Sequence, residues 1–275
     1  MGQKVRPAMP PHARARHDAP LPGSTAQPLR VLLVNGYCER GRERLAANGC
    51  TDAAELYASM LKSLTSSHGV DLRAEVVYPV SEEFRLPSAS ELEEEFDAVA
   101  WTGSNLTIHA DEPEVHLQLE LARLAYSVGV PQFGSCWGMQ VAAQSAGITT
   151  LANPLGREQG LARKMHVTAE GSRHPLYRGG PACFDGFTAH TDMVSLPSAL
   201  ASGSAGAECS ILASNAWTPV QALAVKYLSG EFWGVQYVLP TAQQRSSSRA
   251  CLHRDLTRCS ANTGVVARPQ VSPRV

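Results

Sequence analysis

No charge of either sign dominates this chain: 24 Lys and Arg stand against 25 Asp and Glu, a formal net charge of −1. So close a balance excludes a general attraction to nucleic acid or to anionic membranes, and it favours a small neutral or zwitterionic substrate. No apolar run approaches the roughly 20 residues of a membrane span, and the N-terminus lacks the hydrophobic core of a signal peptide. The seven cysteines, Cys38, Cys50, Cys136, Cys183, Cys209, Cys251 and Cys259, form no C-x-x-C pair. They read as the scattered thiols of a reducing cytoplasm, not as a zinc or disulfide framework, so a cytoplasmic protein without a metal centre is expected. A phosphate-binding G-x-x-x-x-G-K-[ST] loop is also missing, which argues against synthetase chemistry within the chain. No cofactor is expected.

What is present begins with size. At 275 residues and 44% hydrophobic content the chain can bury a substantial core in one large or two small domains. Residues 1–28 are rich in Pro, Arg and small residues without periodicity and are expected to be disordered. Residues 29–240 then alternate strand and helix. Arg30 to Gly36 reads as an apolar strand covered on both faces, and Thr51 caps a helix carrying Leu56, Met60 and Leu64 at a spacing of four. Leu72 to Tyr78 is a second strand, and Ser90 with Glu93 resembles a capping box before a short helical turn. Phe96 to Trp101 is a third strand, ending at Thr102-Gly103-Ser104. Pro113 opens a helix whose Val115, Leu119, Ala122 and Tyr126 share a face. Beyond Gly147 the chain is richer in short strands: 164–168, 183–189, 210–213, 220–227 and 232–237. The expected fold class is α/β, an open and mostly parallel sheet flanked by helices, flavodoxin-like, with an antiparallel edge region.

The stretch richest in chemistry is Val130 to Gln140, a strand running into a helix through a turn centred on Cys136. Gly134 and Gly138 stand where a side chain would meet neighbouring backbone, the steric reason for the G-x-nucleophile-x-G pattern of strained strand-to-helix corners. Cys136 would sit at a helix N-terminus, whose unpaired N–H groups and dipole favour a thiolate. Active groups of such sheets lie at the carboxyl ends of the strands, so Asn35-Gly36-Tyr37, Thr102-Gly103-Ser104 and Cys136 are expected to converge on one crevice. There the backbone N–H groups of Gly103, Ser104 and Trp137 would form an oxyanion hole.

The ordered motifs Phe96 to Ser104, Phe133 to Gln140, Asn153 to Glu158, Ala189 to Val194 and Phe232 to Tyr237 resemble the class I, or triad-type, glutamine amidotransferases, particularly stand-alone relatives of the amidotransferase domain of GMP synthase. The resemblance covers roughly residues 29–237. It implies that Cys136 attacks the side-chain amide of L-glutamine, releases ammonia and forms a γ-glutamyl thioester that water hydrolyses. Gln140 matches a position that helps hold the glutamine, and His190 lies in a segment bordering the substrate pocket. A separate synthetase or acceptor substrate would receive the ammonia; no nucleic-acid or membrane partner is implied.

The chain departs from the family after Tyr237. There the family carries His-Pro-Glu, the His as general base and the Glu orienting it; here the positions are Val238, Leu239 and Pro240. Neither Val238 nor Pro240 can exchange a side-chain proton, so both expected triad positions are lost. Residues 241–275 carry six Arg and no Lys, one Asp and no Glu, and no apolar periodicity, a composition that suits a disordered tail or a shifted reading frame. His109 and His190 are the histidines with access to the crevice as substitute bases, whereas His68, His116, His166 and His174 read as surface residues. Three functions follow: a glutaminase of this family impaired by the missing His and Glu, a non-catalytic relative binding glutamine or a partner, and another elbow-cysteine enzyme such as a peptidase or γ-glutamyl hydrolase. Without the covering helix that normally follows the last strand, Phe232, Trp233, Val235 and Tyr237 are expected to expose an apolar face.

Overall fold

Alternation within one strand sets the two faces of the molecule. In β1 (Leu29–Val34), Leu32 and Val34 join a cluster with α3 (Ala89–Glu95) and α4 (Pro113–Val128), while Val31 and Leu33 pack with Ala54, Tyr57 and Met60 of α2 (Ala53–Ser67) on the opposite side. A strand buried on both faces is the sequence signature of a parallel sheet under two helical layers. The computed structural model describes residues 27–81, 83–197 and 206–238. The segment 1–26 and residues 239–275, with Leu239, Pro240 and the 241–275 tail, lie outside the described residues.

The remaining elements are α1 (Glu39–Ala47), β2 (Leu72–Val77), β3 (Ala98–Trp101), β4 (Gln132–Ser135), α5 (Trp137–Ser145), β5 (Thr150–Ala152), β6 (Glu158–Val167), α6 (Ala169–Arg173), β7 (Cys183–His190), β8 (Asp192–Val194), β9 (Glu208–Ser214), β10 (Ala222–Tyr227) and β11 (Gly230–Val235). The main sheet has the order β2-β1-β3-β4-β11-β10-β9-β6-β7, and β5 pairs with β8 in a second, two-stranded sheet. From β2 to β11 all neighbours are parallel; from β11 outward they are antiparallel. This is the expected α/β class with its antiparallel edge region.

Several local expectations are corrected. Asp52, not Thr51, caps α2: its carboxylate accepts the Ala54 N–H at 2.8 Å. Leu64 of that helix is 47% exposed, because the buried face runs through Ala54, Tyr57 and Met60 instead. The capping box is Ser88 with Glu91, two residues before the expected pair, both reciprocal bonds being formed. Helix α1 has no sequence signature: it is charged along its length and buries only Gly41. The last strand is also better covered than expected. Phe232 and Val235 are fully buried and Tyr237 nearly so. Phe232 stacks on Trp101 at 6.1 Å, His174 packs edge-on against Trp233 at 4.6 Å, and the Tyr177 and Tyr237 hydroxyls share a hydrogen bond at 2.8 Å. The segment Ala169–Tyr177 thus shields the outer part of β11, and His174 is half-buried within it instead of lying on the surface.

Candidate active site

Strand β4 ends at Ser135 and α5 begins at Trp137, leaving Cys136 alone in the corner with φ +53° and ψ −100°. Its N–H donates to the Val235 carbonyl at 2.7 Å, so the corner is stitched to β11. A non-glycine residue at positive φ is strained and persists only where its surroundings hold it. Here they leave no room for anything else: a Cβ on Gly134 would lie 2.7 Å from the Gly138 Cα, and one on Gly138 would lie 2.8 Å from the Trp101 Cβ. The glycines therefore let α5 descend onto β3 and β4. Behind the corner the buried Tyr57 hydroxyl donates to Ser135 Oγ at 2.8 Å.

The strand ends converge as expected. The Gly36 N–H donates to Thr102 Oγ1 at 3.0 Å and Ser104 Oγ–H to the Gly36 carbonyl at 2.7 Å. The Trp137 indole approaches Gly36 so closely that a Cβ there would meet it at 2.7 Å, and Trp137 Nε1–H donates to Gln118 Oε1 at 2.7 Å. Gly103, Ser104 and Trp137 thus gather at one end of the sheet with Cys136 on the next strand.

The thiol itself differs from the expectation. Burial pushes Cys136 up to about 11, and the Asp192 carboxylate adds to the effect; the Trp137 N–H, the Arg157 guanidinium and the Gln236 side-chain amide pull the other way without prevailing. A helix N-terminus is worth about 0.3–1 kcal/mol to an anion, up to about 2, which desolvation in a closed corner outweighs. The expected thiolate is replaced by a protonated thiol at neutral pH.

Gln140, buried in α5, donates Nε2–H to the Asp192 carbonyl at 3.2 Å. His190 Nδ1 meets that same carbonyl at 2.9 Å, and its Nε2 lies 2.9 Å from Glu158 Oε2. Gln140 and His190, which the sequence placed at the substrate pocket, are therefore joined through one backbone oxygen. Glu158 is the centre of a wider network: Thr218 Oγ1 and Gln221 Nε2 also donate to Oε2, at 3.0 and 2.8 Å, and Asn215 Nδ2 donates to Oε1 at 2.8 Å. Burial resists its ionisation, but the His190, Asn215, Thr218 and Gln221 hydrogen bonds together bring the carboxyl below its ordinary value.

Both ring nitrogens of His190 are thus engaged, with the Asp192 carbonyl and the Glu158 carboxylate. His109 is exposed on the loop beyond Ser104. At the expected triad position, Val238 donates its N–H to the Phe187 carbonyl at 2.7 Å and is 37% exposed. Sequence reasoning did not single out Glu158 as a hub, nor Asn215, Thr218, Gln221 and Gln236. The signal available was a glutamine inside each of two apolar strand-end runs, Val220 to Val225 and Phe232 to Tyr237. Gln236 is wholly buried, next to the Cys136–Val235 contact, and neither of its amide atoms completes a hydrogen bond. Among the described residues no cluster of three His, Cys, Asp or Glu is arranged to hold a metal ion.

A family model, glutamine amidotransferase class-I, matches residues 80–238, more than half of the chain. The chain belongs to this family. It is 30% identical over 216 residues to a γ-glutamyl-L-1-hydroxyisopropylamide hydrolase from a Pseudomonas species, the match covering 76% of this chain and 66% of that relative's length. Its fold is similar to that of a glutamine amidotransferase from Thermotoga maritima, with a TM-score of 0.55, 16% identity, and 78% and 76% of the two chains covered. It is similar also to the glutaminase domain of the Trypanosoma brucei CTPS, with a TM-score of 0.53, 15% identity, and 86% and 96% covered. Class I membership accounts for the α/β fold.

Proposed function

We propose that this chain acts on γ-glutamyl amides, glutamine among them, through a thioester at Cys136, and that turnover is held low by the missing His and Glu. The observation that carries the reading is the corner itself: a cysteine at φ +53° on a strand end, facing the backbone of Trp137 and flanked by Gln140, Asp192 and His190. The Pseudomonas relative's γ-glutamyl amide substrate supports widening the class beyond glutamine.

In the first step Cys136 Sγ bonds to the γ-carbonyl carbon and the C–N bond breaks. The amine leaves with its electron pair and takes up the thiol proton. The N–H groups of Gly103, Ser104 and Trp137 stabilise the oxyanion formed on the way. Gln140 and His190 shape the wall that receives the γ-glutamyl group. In the second step water adds to the thioester carbon, glutamate departs, and its proton balance restores the thiol. A general base contributes on the order of 10²–10⁴-fold to such transfers. At the position of the family's histidine this chain has Val238, which supplies none.

Val238 and the protonated thiol favour a second reading, a relative that binds a γ-glutamyl ligand without turnover. One experiment separates the two. Replacing Val238-Leu239-Pro240 with His-Pro-Glu is expected to raise glutamine hydrolysis by at least about 10²-fold. In the unaltered chain an electrophilic glutamine analogue should label Cys136 slowly but in preference to Cys38 and Cys209. Labelling elsewhere with Cys136 free overturns the assignment of the nucleophile; strong glutaminase activity in the unaltered chain overturns the claim of impairment.

A further inference from the structure

Strand β2 forms one end of the main sheet: β1 takes one of its edges, and no strand of the described residues takes the other. The Leu29 N–H donates to the Asp71 carbonyl at 2.8 Å and the Asn35 N–H to the Val77 carbonyl at 2.9 Å, so in a parallel ladder the backbone groups of Arg73 and Glu75 face β1 as well. Those of Leu72, Ala74 and Val76 point to the open side. Such a row of donors and acceptors is a template for another strand, and proteins that must avoid pairing block it with charge, a proline or a bulge. β2 has no proline and no bulge, and its charge is of both signs.

The side chains of β2 divide by face. Leu72, Ala74 and Val76 lie on the α2 side, where Leu72 joins the cluster of Val31, Leu33 and Tyr57 while Val76 is 36% exposed. Arg73 and Glu75 lie on the other side, both exposed, and neither makes an ion pair with the described residues. Each stands among charges of its own sign. Arg73 is level with Arg30 of β1, whose guanidinium is already paired with Asp97. Glu75 lines a cleft of about 350 Å³ whose wall also carries Glu83, Glu91 and Glu95; its Arg85 is taken by Glu91.

A second β2 approaching antiparallel matches donor to acceptor only where Leu72, Ala74 and Val76 meet one another, which restricts it to registers two residues apart. One of these sets Arg73 opposite Arg73 of the other copy, and another sets Glu75 opposite Glu75. The register centred on Ala74 sets Arg73 opposite Glu75 twice and Leu72 opposite Val76 twice. In it the outward-facing residues form the hydrogen-bonded pairs, and Arg73 and Glu75 form the non-hydrogen-bonded pairs, in which side chains stand closer. We infer that β2 is a dimerisation edge whose partner is a second copy of this chain, joined about a two-fold axis at Ala74 so that one sheet runs through both molecules. Arg73 of each copy then meets Glu75 at the acidic cleft of the other. A two-fold contact of this kind is closed, so association stops at two. The parallel strands of the two copies run in opposite directions, so their Cys136 corners open at opposite ends of the joint sheet, and the inference holds whatever Cys136 acts on.

Sedimentation velocity and light scattering of the full chain over a wide range of concentration test this. The parent chain should pass from monomer to dimer as concentration rises and go no further. Arg73→Glu and Glu75→Arg should each weaken the dimer at least about tenfold, because two opposite-charge pairs become two like-charge pairs. Two results are specific to this register: the double variant R73E/E75R should regain the parent's association, and an equimolar mixture of the two single variants should form the mixed dimer although neither associates alone. The mixed dimer also shows that both single variants are folded. A parent chain that stays monomeric at every concentration overturns the inference. A dimer that both single variants leave unchanged overturns it too, as does a mixture of single variants that remains monomeric when their unfolding midpoints match the parent's.

Discussion

Desolvation acts on both Cys136 and Glu158 at the same end of the sheet, yet its outcome is opposite for the two. The thiol is pushed up to about 11 and stays neutral. The carboxyl falls below its ordinary value because His190, Asn215, Thr218 and Gln221 all donate to it or pair with it. Desolvation disfavours both anions; the number of donors decides which one survives it. The site therefore holds its negative charge at a structural hub, and leaves the Cys136 thiol with the Trp137 N–H, the Arg157 charge and the Gln236 amide.

The hub side of the comparison breaks most severely. Glu158→Ala strands Asn215, Thr218, Gln221 and His190 without their common acceptor, and the loss of one member of a buried pair costs about 3–5 kcal/mol. Urea unfolding should show it, with Glu158→Gln losing less because an acceptor oxygen remains. The same hub sets an acid limit. A carboxyl whose folded value lies below its unfolded one stabilises the protein above the unfolded value of about 4.5, and that contribution drains away as pH falls from there through the lower folded value. Unfolding midpoints between pH 6 and pH 3 should fall in the parent chain and be flatter in Glu158→Gln.

The corner side breaks by crowding. Gly134→Ala places a methyl 2.7 Å from the Gly138 backbone and 2.9 Å from Trp101, neither of which can give way cheaply, and overpacking of this kind costs about 1–3 kcal/mol. The unfolding midpoint should drop and labelling of Cys136 should slow together. If only labelling changed, the glycine would be serving access and not packing.

The smallest expected effect sharpens the comparison by adding to the thiol's isolation. Gln236→Met removes the one side-chain amide that favours the Cys136 thiolate. The pH dependence of alkylation should move upward, with little change in stability, because a flexible apolar side chain of similar length fills the same space.

Much of this was legible in the sequence where one residue type served one local need. The flanking glycines of Cys136 announced a strained corner because only they fit between β3, β4 and α5. Apolar runs announced β1 and β3 because both faces of each are covered. The hub was less legible, since Glu158, His190 and the Asn215–Gln221 connection are three separate stretches that only the pairing of β6, β7, β9 and β10 unites. Periodicity does not encode such long-range pairing. Helix α1 escaped for the opposite reason: it buries only Gly41, so no apolar stripe marks it. The thiol's ionisation was misjudged because a helix dipole is visible in sequence and the closure of the corner around the sulfur is not. The missing helix after β11 suggested bare apolar surface, but Ala169–Tyr177, far off in sequence, supplies the cover.

The most direct test of the central claim, a nucleophile positioned for attack but without a base, is the rate of Cys136 alkylation by iodoacetamide from pH 6 to pH 11, with the modified residue identified by peptide mapping. The account predicts a rate that keeps rising across this range towards an inflection near 11. A plateau already reached near pH 7 would mean that some group in the folded chain takes the thiol proton, and would contradict it.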